Sequence, residues 1–253
     1  MRALVTGGAG YIGSTVSNYL LDRGYQVIII DNLSTGFIQN VPKKADFYKF
    51  DISDTKKIKK IFIKKKIDIV FHFAALINNE ESLKHPKKYY LNNFTKGKIF
   101  FENCLNNGIN KFIYSSTAAV YANKKKQVNE RDKLNPMSPY PKSKLKLEDF
   151  LNKKKNTISC VILRYFNVAG VDKKMRCGFN VNKGYNLILN LCAACIKNKL
   201  FKVNGNDYDT QDGTTIRDYI HVEDLAKIHL LASKLVLKKK VFKIFNCGYG
   251  NGF

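Results

Sequence analysis

Arg2-Ala3-Leu4-Val5-Thr6-Gly7-Gly8-Ala9-Gly10-Tyr11-Ile12-Gly13 is the stretch that decides the fold of this 253-residue chain. Arg2–Thr6 is strand-like, and Tyr11–Arg23 reads as an amphipathic helix closed by Gly24. The turn between them satisfies GxGxxG through Gly8, Gly10 and Gly13, and GxxGxxG through Gly7, Gly10 and Gly13. Glycines let a backbone turn sharply and come close to a pyrophosphate, which then sits on the amides of a helix N-terminus. Any tight strand–helix turn favours glycine, so the motif alone says little. Here it follows a strand, opens a helix and is matched by an acid, Asp31, at the end of the next strand-like run, Gln26–Ile30.

That context predicts a dinucleotide, and Asp31 chooses which one. A carboxylate there accepts hydrogen bonds from ribose hydroxyls and repels the extra phosphate of NADP. No arginine follows in Asp31-Asn32-Leu33-Ser34-Thr35-Gly36, so NAD is the expected cofactor. Asp51, after a third strand at Asp46–Phe50, could receive the adenine amino group or serve simply as a turn residue.

Working outward, a lysine-rich helix from about Thr55 precedes Ile67–Phe73, a continuous apolar run expected of a parallel strand buried on both faces. A helix around Leu91–Asn106, a strand at Lys111–Ser115, a helix from about Pro141 to Leu151 and a strand at Ser159–Tyr165 continue the alternation. The fold expected is α/β, a Rossmann-type doubly wound parallel sheet. After Phe166 the pattern loosens: Asp172–Asn186 and Asn204–Thr215 are polar and glycine-bearing, as binding loops are. A helix near Val222–Lys234 and a strand at Val241–Asn246 resume it. Residues 1–166 are therefore read as an NAD-binding domain and 167–253 as a mainly substrate-binding region, with about 216–248 returning to the sheet. The chain stops in Gly248-Tyr249-Gly250-Asn251-Gly252-Phe253, a loop that should feed another element, so a truncated C-terminus is expected.

The net charge of +24 raises the question of nucleic acid. Triple-lysine runs at Lys64–Lys66, Lys124–Lys126, Lys153–Lys155 and Lys238–Lys240 are spread along the chain, with no RNA-binding motif between them. Asn, Ile, Phe and Tyr, which share A/T-rich codons with Lys, are also abundant. The expectation is a solvated basic surface and no nucleic-acid partner. No run approaches the ~20 apolar residues of a membrane span. Met1–Thr6 enters a strand directly, leaving no room for a signal peptide, so the cytoplasm is the expected compartment. Of the six cysteines only Cys192 and Cys195 have metal-like spacing, and no second pair completes a site. They lie in an apolar helical stretch, Leu187–Ile196, so buried, reduced thiols and no metal are expected.

Ser138-Pro139-Tyr140-Pro141-Lys142-Ser143-Lys144 places a tyrosine four residues before a lysine, on one face of a helix. A free phenol, with a pKa of about 10, is a poor base at neutral pH. A cation beside it stabilises the phenolate, so Tyr140 with Lys144 can take a hydroxyl proton while the carbon loses hydride to a nicotinamide. YxxxK arises by chance in so lysine-rich a chain. Its weight comes from Tyr114-Ser115-Ser116-Thr117-Ala118-Ala119-Val120-Tyr121, which ends a strand where ligands bind in such sheets and offers the Thr117 hydroxyl.

The set GGAGYIG, DNLSTG, HFAA, SSTAAVY, SPYxKSK, RYFNVAG and DGTxxRDYIHV resembles the extended short-chain dehydrogenase/reductase family, and within it the UDP-glucose 4-epimerases, in family order from Gly7 to Gly248. The resemblance implies that Gly7, Gly10, Tyr11, Ile12 and Gly13 carry the pyrophosphate, Asp31 and Asn32 the adenosine ribose, and Asp51 and Ile52 the adenine. It implies that Phe73, Ala74, Ala75, Asn92 and Phe166 line the cofactor. Tyr140 is the implied base, Lys144 the residue on the nicotinamide ribose, and Thr117 the partner of the substrate hydroxyl. Asn167, Asn186, Leu187 and Arg217 are the implied grip on a UDP-sugar, and a guanidinium suits phosphate oxygens. The implied reaction is redox-neutral 4-epimerisation with tightly bound NAD, through a 4-keto sugar that presents its other face before hydride returns. UDP-glucose and UDP-galactose are the implied pair. UDP-N-acetylglucosamine and UDP-glucuronate remain open, as does a non-catalytic NAD-binding fragment, and pairing of two copies through helices is also implied.

Ala118-Ala119 stands where related sugar dehydratases carry an acid pair and decarboxylases a glutamate, which favours epimerisation. Ile77 replaces a lysine of some relatives, and Ala122 replaces the usual glycine. Pro141 follows the tyrosine directly; proline is tolerated only in a helix's first turn, so the helix should begin at or just before Pro141.

Overall fold

A computed structural model describes residues 1–122, 127–179, 186–203 and 205–253. The Lys124–Lys126 run and parts of the two expected loops lie outside them. Stretches of four to seven residues become the central strands: β1 (Arg2–Thr6), β2 (Gln26–Asp31), β3 (Asp46–Lys49), β4 (Ile69–His72), β5 (Lys111–Thr117), β6 (Ser159–Tyr165) and, far later in the chain, β9 (Phe242–Cys247). They form one parallel sheet in the order β3-β2-β1-β4-β5-β6-β9. The order reverses between β1 and β4, and ligands bind outside the carboxyl ends of strands at such a switch point. A separate two-stranded ladder pairs β7 (Asn167–Ala169) with β8 (Tyr219–His221).

Alternation along each strand divides the core in two. Ala3, Val5, Ile29, Phe71 and Leu163 face one side with α1 (Tyr11–Leu21) and α8 (Val222–Lys238); Leu4, Ile28, Val70, Phe112 and Ile162 face the other. The second side is covered by α2 (Thr55–Lys64), α5 (Gly97–Asn106) and α6 (Pro139–Lys153). Two short helices, α3 (Asn79–Lys84) and α4 (Pro86–Tyr89), lead from β4 into a π-helical segment, Tyr90–Lys96, and then α5. The helix expected around Leu91–Asn106 is therefore two windings in series. α7 (Leu187–Ile196) appears where its apolar run predicts a helix.

Helix α6 begins at Pro139, two residues before Pro141, with Ser138 as N-cap. Both prolines fall within the first turn, where an N–H has no intrahelical partner to lose.

Two expectations are corrected. None of α7's residues is buried, and Cys192 and Cys195 are exposed, whereas Cys104, Cys160, Cys177 and Cys247 are buried; all six are free thiols. Helical periodicity says that a face is apolar and not what covers it. The three described lysine runs, read as dispersed, begin at the last residues of α2, α6 and α8 and precede β4, β6 and β9 or the loop leading to them. Parallel topology puts all such turns at the amino end of the sheet, so these runs share the face opposite the switch-point cleft. Cations at helix C-termini also complement the helix dipoles. Among the described residues no helix is long and apolar enough to cross a membrane, and no His, Cys, Asp and Glu cluster could hold a metal ion.

Candidate active site

Gly7, at the end of β1, has φ +73°, a conformation that disfavours any side chain. A Cβ there would stand 2.6 Å from the Ala74 amide nitrogen, and one at Gly13 would stand 2.3 Å from the Gly7 carbonyl oxygen. The turn is thus pressed against the Phe73–Ala75 segment that leaves β4, with no room for a side chain at either point. Gly10 caps α1, and Ser14 makes the first helical bond, to the Gly10 oxygen at 2.9 Å. The amides of Tyr11, Ile12 and Gly13 therefore open the helix as an anion cradle, which suits a pyrophosphate. The Tyr11 side chain turns away: its hydroxyl donates to the Gly170 oxygen at 2.5 Å and its ring stacks on Phe179.

Asp31 is buried beneath this loop and accepts from the Ala9 amide at 3.0 Å and the Leu33 amide at 2.8 Å. Burial raises its pKa, opposed by those two bonds. Farther along, Asn32 donates to Asp51 at 3.1 Å, and Asp51 also accepts from Lys96 at 2.6 Å. Although burial pushes the other way, Lys96 and Ser53 hold the Asp51 carboxyl at about 2. Ile52 is buried in the core beside it. Asn32 and Asp51 are thereby brought together just beyond the carboxyl ends of β2 and β3, with a lysine that the sequence did not single out.

Thr117 ends β5, and its hydroxyl favours ionisation of the half-buried Tyr140 phenol, in the first turn of α6. Lys144, one turn later and buried, donates to the Ser115 oxygen at 2.6 Å. The electrostatics differ from expectation. Burial raises the Tyr140 pKa, and the group that lowers it is Thr117 rather than Lys144. Burial pulls the Lys144 pKa down to about 7, partly offset by Glu148.

Asn93 is a site residue that the sequence motifs do not include. It is buried, donates to the Leu76 oxygen at 2.9 Å and to Ser143 Oγ at 3.0 Å, and accepts from the Leu76 amide at 2.8 Å. Ser143 in turn donates to the Tyr140 backbone carbonyl at 2.6 Å, so Asn93 ties the Phe73–Leu76 wall to α6. The expected cofactor neighbour Asn92 donates to Asn93 at 3.1 Å. A polar pair within an otherwise helical run was the available signal.

Thr117 and Tyr165 are neighbours in the β5–β6 register, so Phe166 and Asn167 leave the sheet beside Thr117. The Asn167 side chain donates to the Asp218 oxygen at 3.1 Å. Asn186 caps α7, accepting from Ile188 and Leu189 and donating to the Val168 oxygen at 2.9 Å. Leu187 opens α7 and is half exposed. Arg217 precedes β8 and is exposed, its Nε donating to Thr215 at 3.0 Å. The β7–β8 ladder thus gathers Asn167, Asn186, Leu187 and Arg217 from three stretches of chain. Ile77 is exposed and Ala118–Val120 forms a 3-10 turn.

The model of the NAD dependent epimerase/dehydratase family matches residues 3–248. The UDP-glucose 4-epimerase of Lactobacillus helveticus is 41% identical over 258 aligned residues, which cover 100% of this chain and 78% of that protein. The crystal structure of UDP-glucose 4-epimerase from Brucella ovis in complex with NAD superposes with a TM-score of 0.94 at 36% identity, covering 100% of this chain and 78% of the other. The Stenotrophomonas maltophila UDP-glucose 4-epimerase, with bound NAD and formylated UDP-arabinopyranose, also gives 0.94, at 32% identity and 100% and 79% coverage. Matched by the family model over residues 3–248 and similar over its whole length to these epimerases, this chain belongs to the NAD-dependent epimerase/dehydratase family.

Proposed function

We propose that this protein is a UDP-glucose 4-epimerase that interconverts UDP-glucose and UDP-galactose by transient oxidation at C4. The observation that carries the reading is the convergence at the carboxyl end of β5 of the Thr117 hydroxyl, the Tyr140 phenol whose pKa that hydroxyl lowers, and Lys144 seated on the Ser115 carbonyl. The cradle fits NAD: Gly7 and Gly13 leave no space for side chains, and three helix-opening amides face the position of the pyrophosphate. Bound NAD supplies the hydride acceptor and donor at C4.

The chain's own residues do the rest. Tyr140 takes the proton from O4 and gives it back, and Thr117 holds that oxygen and eases ionisation of the phenol. Gly7, Gly10 and the amides of Tyr11, Ile12 and Gly13 hold the pyrophosphate, Asp31 and Asn32 the ribose, and Asp51 with Ile52 the adenine. Phe73, Ala74, Ala75, Asn92 and Phe166 wall the nicotinamide end, where Lys144 orients the ribose. On the substrate side, Arg217 and the Leu187 amide at the start of α7 take the diphosphate, while Asn167 and Asn186 fix the backbone that presents them. Ala118 and Ala119 bring no further acid or base, so a 4-keto sugar can only be reduced again.

The test is incubation with UDP-galactose, UDP-N-acetylgalactosamine and UDP-galacturonate without added NAD, separating the epimers. Turnover of UDP-galactose should fall by at least the ~10²–10⁴-fold typical of losing a general base in Tyr140→Phe. Unaltered turnover in that variant would eliminate Tyr140 as the base. Bound NAD with no wild-type turnover would favour a non-catalytic NAD-binding protein.

A further inference from the structure

Behind Lys144 lies a charged cluster with no part in the proton and hydride transfers. Glu148 is 3% exposed and sits four residues after Lys144, on the same face of α6. Its carboxylate accepts from Arg164 Nε at 3.1 Å, from Arg164 Nη2 at 2.5 Å, and from the hydroxyl of Ser116. Arg164, on β6 and 2% exposed, also donates to the Tyr121 hydroxyl at 2.9 Å, which donates to Asn246 at 2.7 Å. Ser116 follows Ser115, whose carbonyl receives the Lys144 ammonium.

We propose that Glu148 is a positioning residue for Lys144: immobilised by Arg164 and Ser116, its carboxylate keeps the buried ammonium charged and seated on β5 beside Tyr140. The role rests on the epimerase reading, in which the cationic form of Lys144 orients the cofactor.

Other groups around Lys144 do not supply this charge. From β5 come the Ser115 carbonyl and the Tyr114 ring, 5.0 Å from the ammonium. His72, on β4, is held neutral by burial, its pKa lowered to about 3 with Lys144 contributing. Tyr165, on β6, is engaged with His229 at 2.6 Å, and burial keeps its phenol protonated. Glu148 is the charge that raises the Lys144 pKa against burial. Without the carboxylate, Lys144 and Arg164 would be two buried cations. Arginine does not release its proton, so lysine is the one that becomes neutral.

The experiment compares wild type, Glu148→Gln and Glu148→Asp by the pH dependence of kcat and KM for UDP-galactose. The Lys144 titration is followed directly by NMR of 13C-labelled lysine, assigned with Lys144→Met. In E148Q the Lys144 titration and the alkaline fall of kcat should move to lower pH together. A midpoint lower by about one pH unit should cost about tenfold in kcat on the alkaline side. KM should change less than about twofold, activity should partly return at pH 6, and E148D should keep the wild-type profile. If E148Q does not fold, the double variant Glu148→Leu with Arg164→Met replaces the pair by apolar groups, a change that buried pairs often tolerate. Its Lys144 titration should still move down, by less than in E148Q, because the Arg164 cation leaves with the carboxylate. An unmoved Lys144 titration, or a loss of kcat equal at every pH, would overturn the proposal. Wild-type protein without turnover would instead sink the epimerase reading, and the NMR titration would still decide whether Glu148 holds the charge.

Discussion

Gly7→Ala is the substitution whose cost the structure sets most sharply. The new Cβ would meet the Ala74 nitrogen at 2.6 Å, the Ala74 Cα at 2.8 Å and the Phe73 carbonyl carbon at 2.9 Å, all backbone atoms that cannot swing aside. Holding an L-residue at φ +73° costs ~1–2 kcal/mol, and overpacking adds ~1–3 kcal/mol, for a total of about 2–5 kcal/mol. Gly24 is the built-in control, with φ +78° and nothing within 4 Å of its added Cβ, so Gly24→Ala should cost only the first ~1–2 kcal/mol. For a chain of this size each kcal/mol is worth about 2 °C, giving a Tm loss of about 4–10 °C for Gly7→Ala and about 2–4 °C for Gly24→Ala. Thermal unfolding after nucleotide has been stripped measures both. Chromatography of nucleotide released by denaturation measures bound NAD, which should fall in Gly7→Ala and not in Gly24→Ala. Equal Tm losses, or full NAD occupancy in Gly7→Ala, would refute the close approach of the glycine turn to the β4 segment.

Thr117→Val removes the hydroxyl that lowers the Tyr140 pKa, so the phenolate becomes harder to form and kcat at neutral pH should fall; an unchanged kcat would remove Thr117 from that role. The Asp51 carboxyl is held at about 2, below its unfolded value, so its pairing with Lys96 stabilises the fold above about pH 4 and is lost as pH falls toward 2. Lys96→Met should accordingly lower stability in urea at pH 7, converge with wild type near pH 2, and weaken NAD binding measured by calorimetry. In native protein an aromatic disulfide reagent should label Cys192 and Cys195 within minutes, and the other four thiols only on unfolding; protection of the pair would contradict the exposure of α7.

Much of the architecture was legible because it is written in short stretches. A strand, a glycine turn that tolerates no Cβ and an acid ending the next strand are local requirements, and Gly7–Gly13 with Asp31 meet them within about 30 residues. Tyr140 and Lys144 share a face because 3.6 residues make a turn, and Pro139 and Pro141 can only stand where a helix begins. What the sequence alone did not contain is which distant groups meet. The Asp51–Lys96 pair, Asn93 between two walls of the cleft, and the Glu148–Arg164–Ser116 cluster each join residues 16 to 50 positions apart, through elements whose separation only the packed sheet defines. The same holds for the lysine runs, scattered in sequence and gathered on one face by parallel topology, and for α7, whose apolar pattern could not say whether anything lies over it. Local backbone geometry is encoded by neighbours in the chain. Burial, and with it the charge on Lys144, depends on everything the fold brings near.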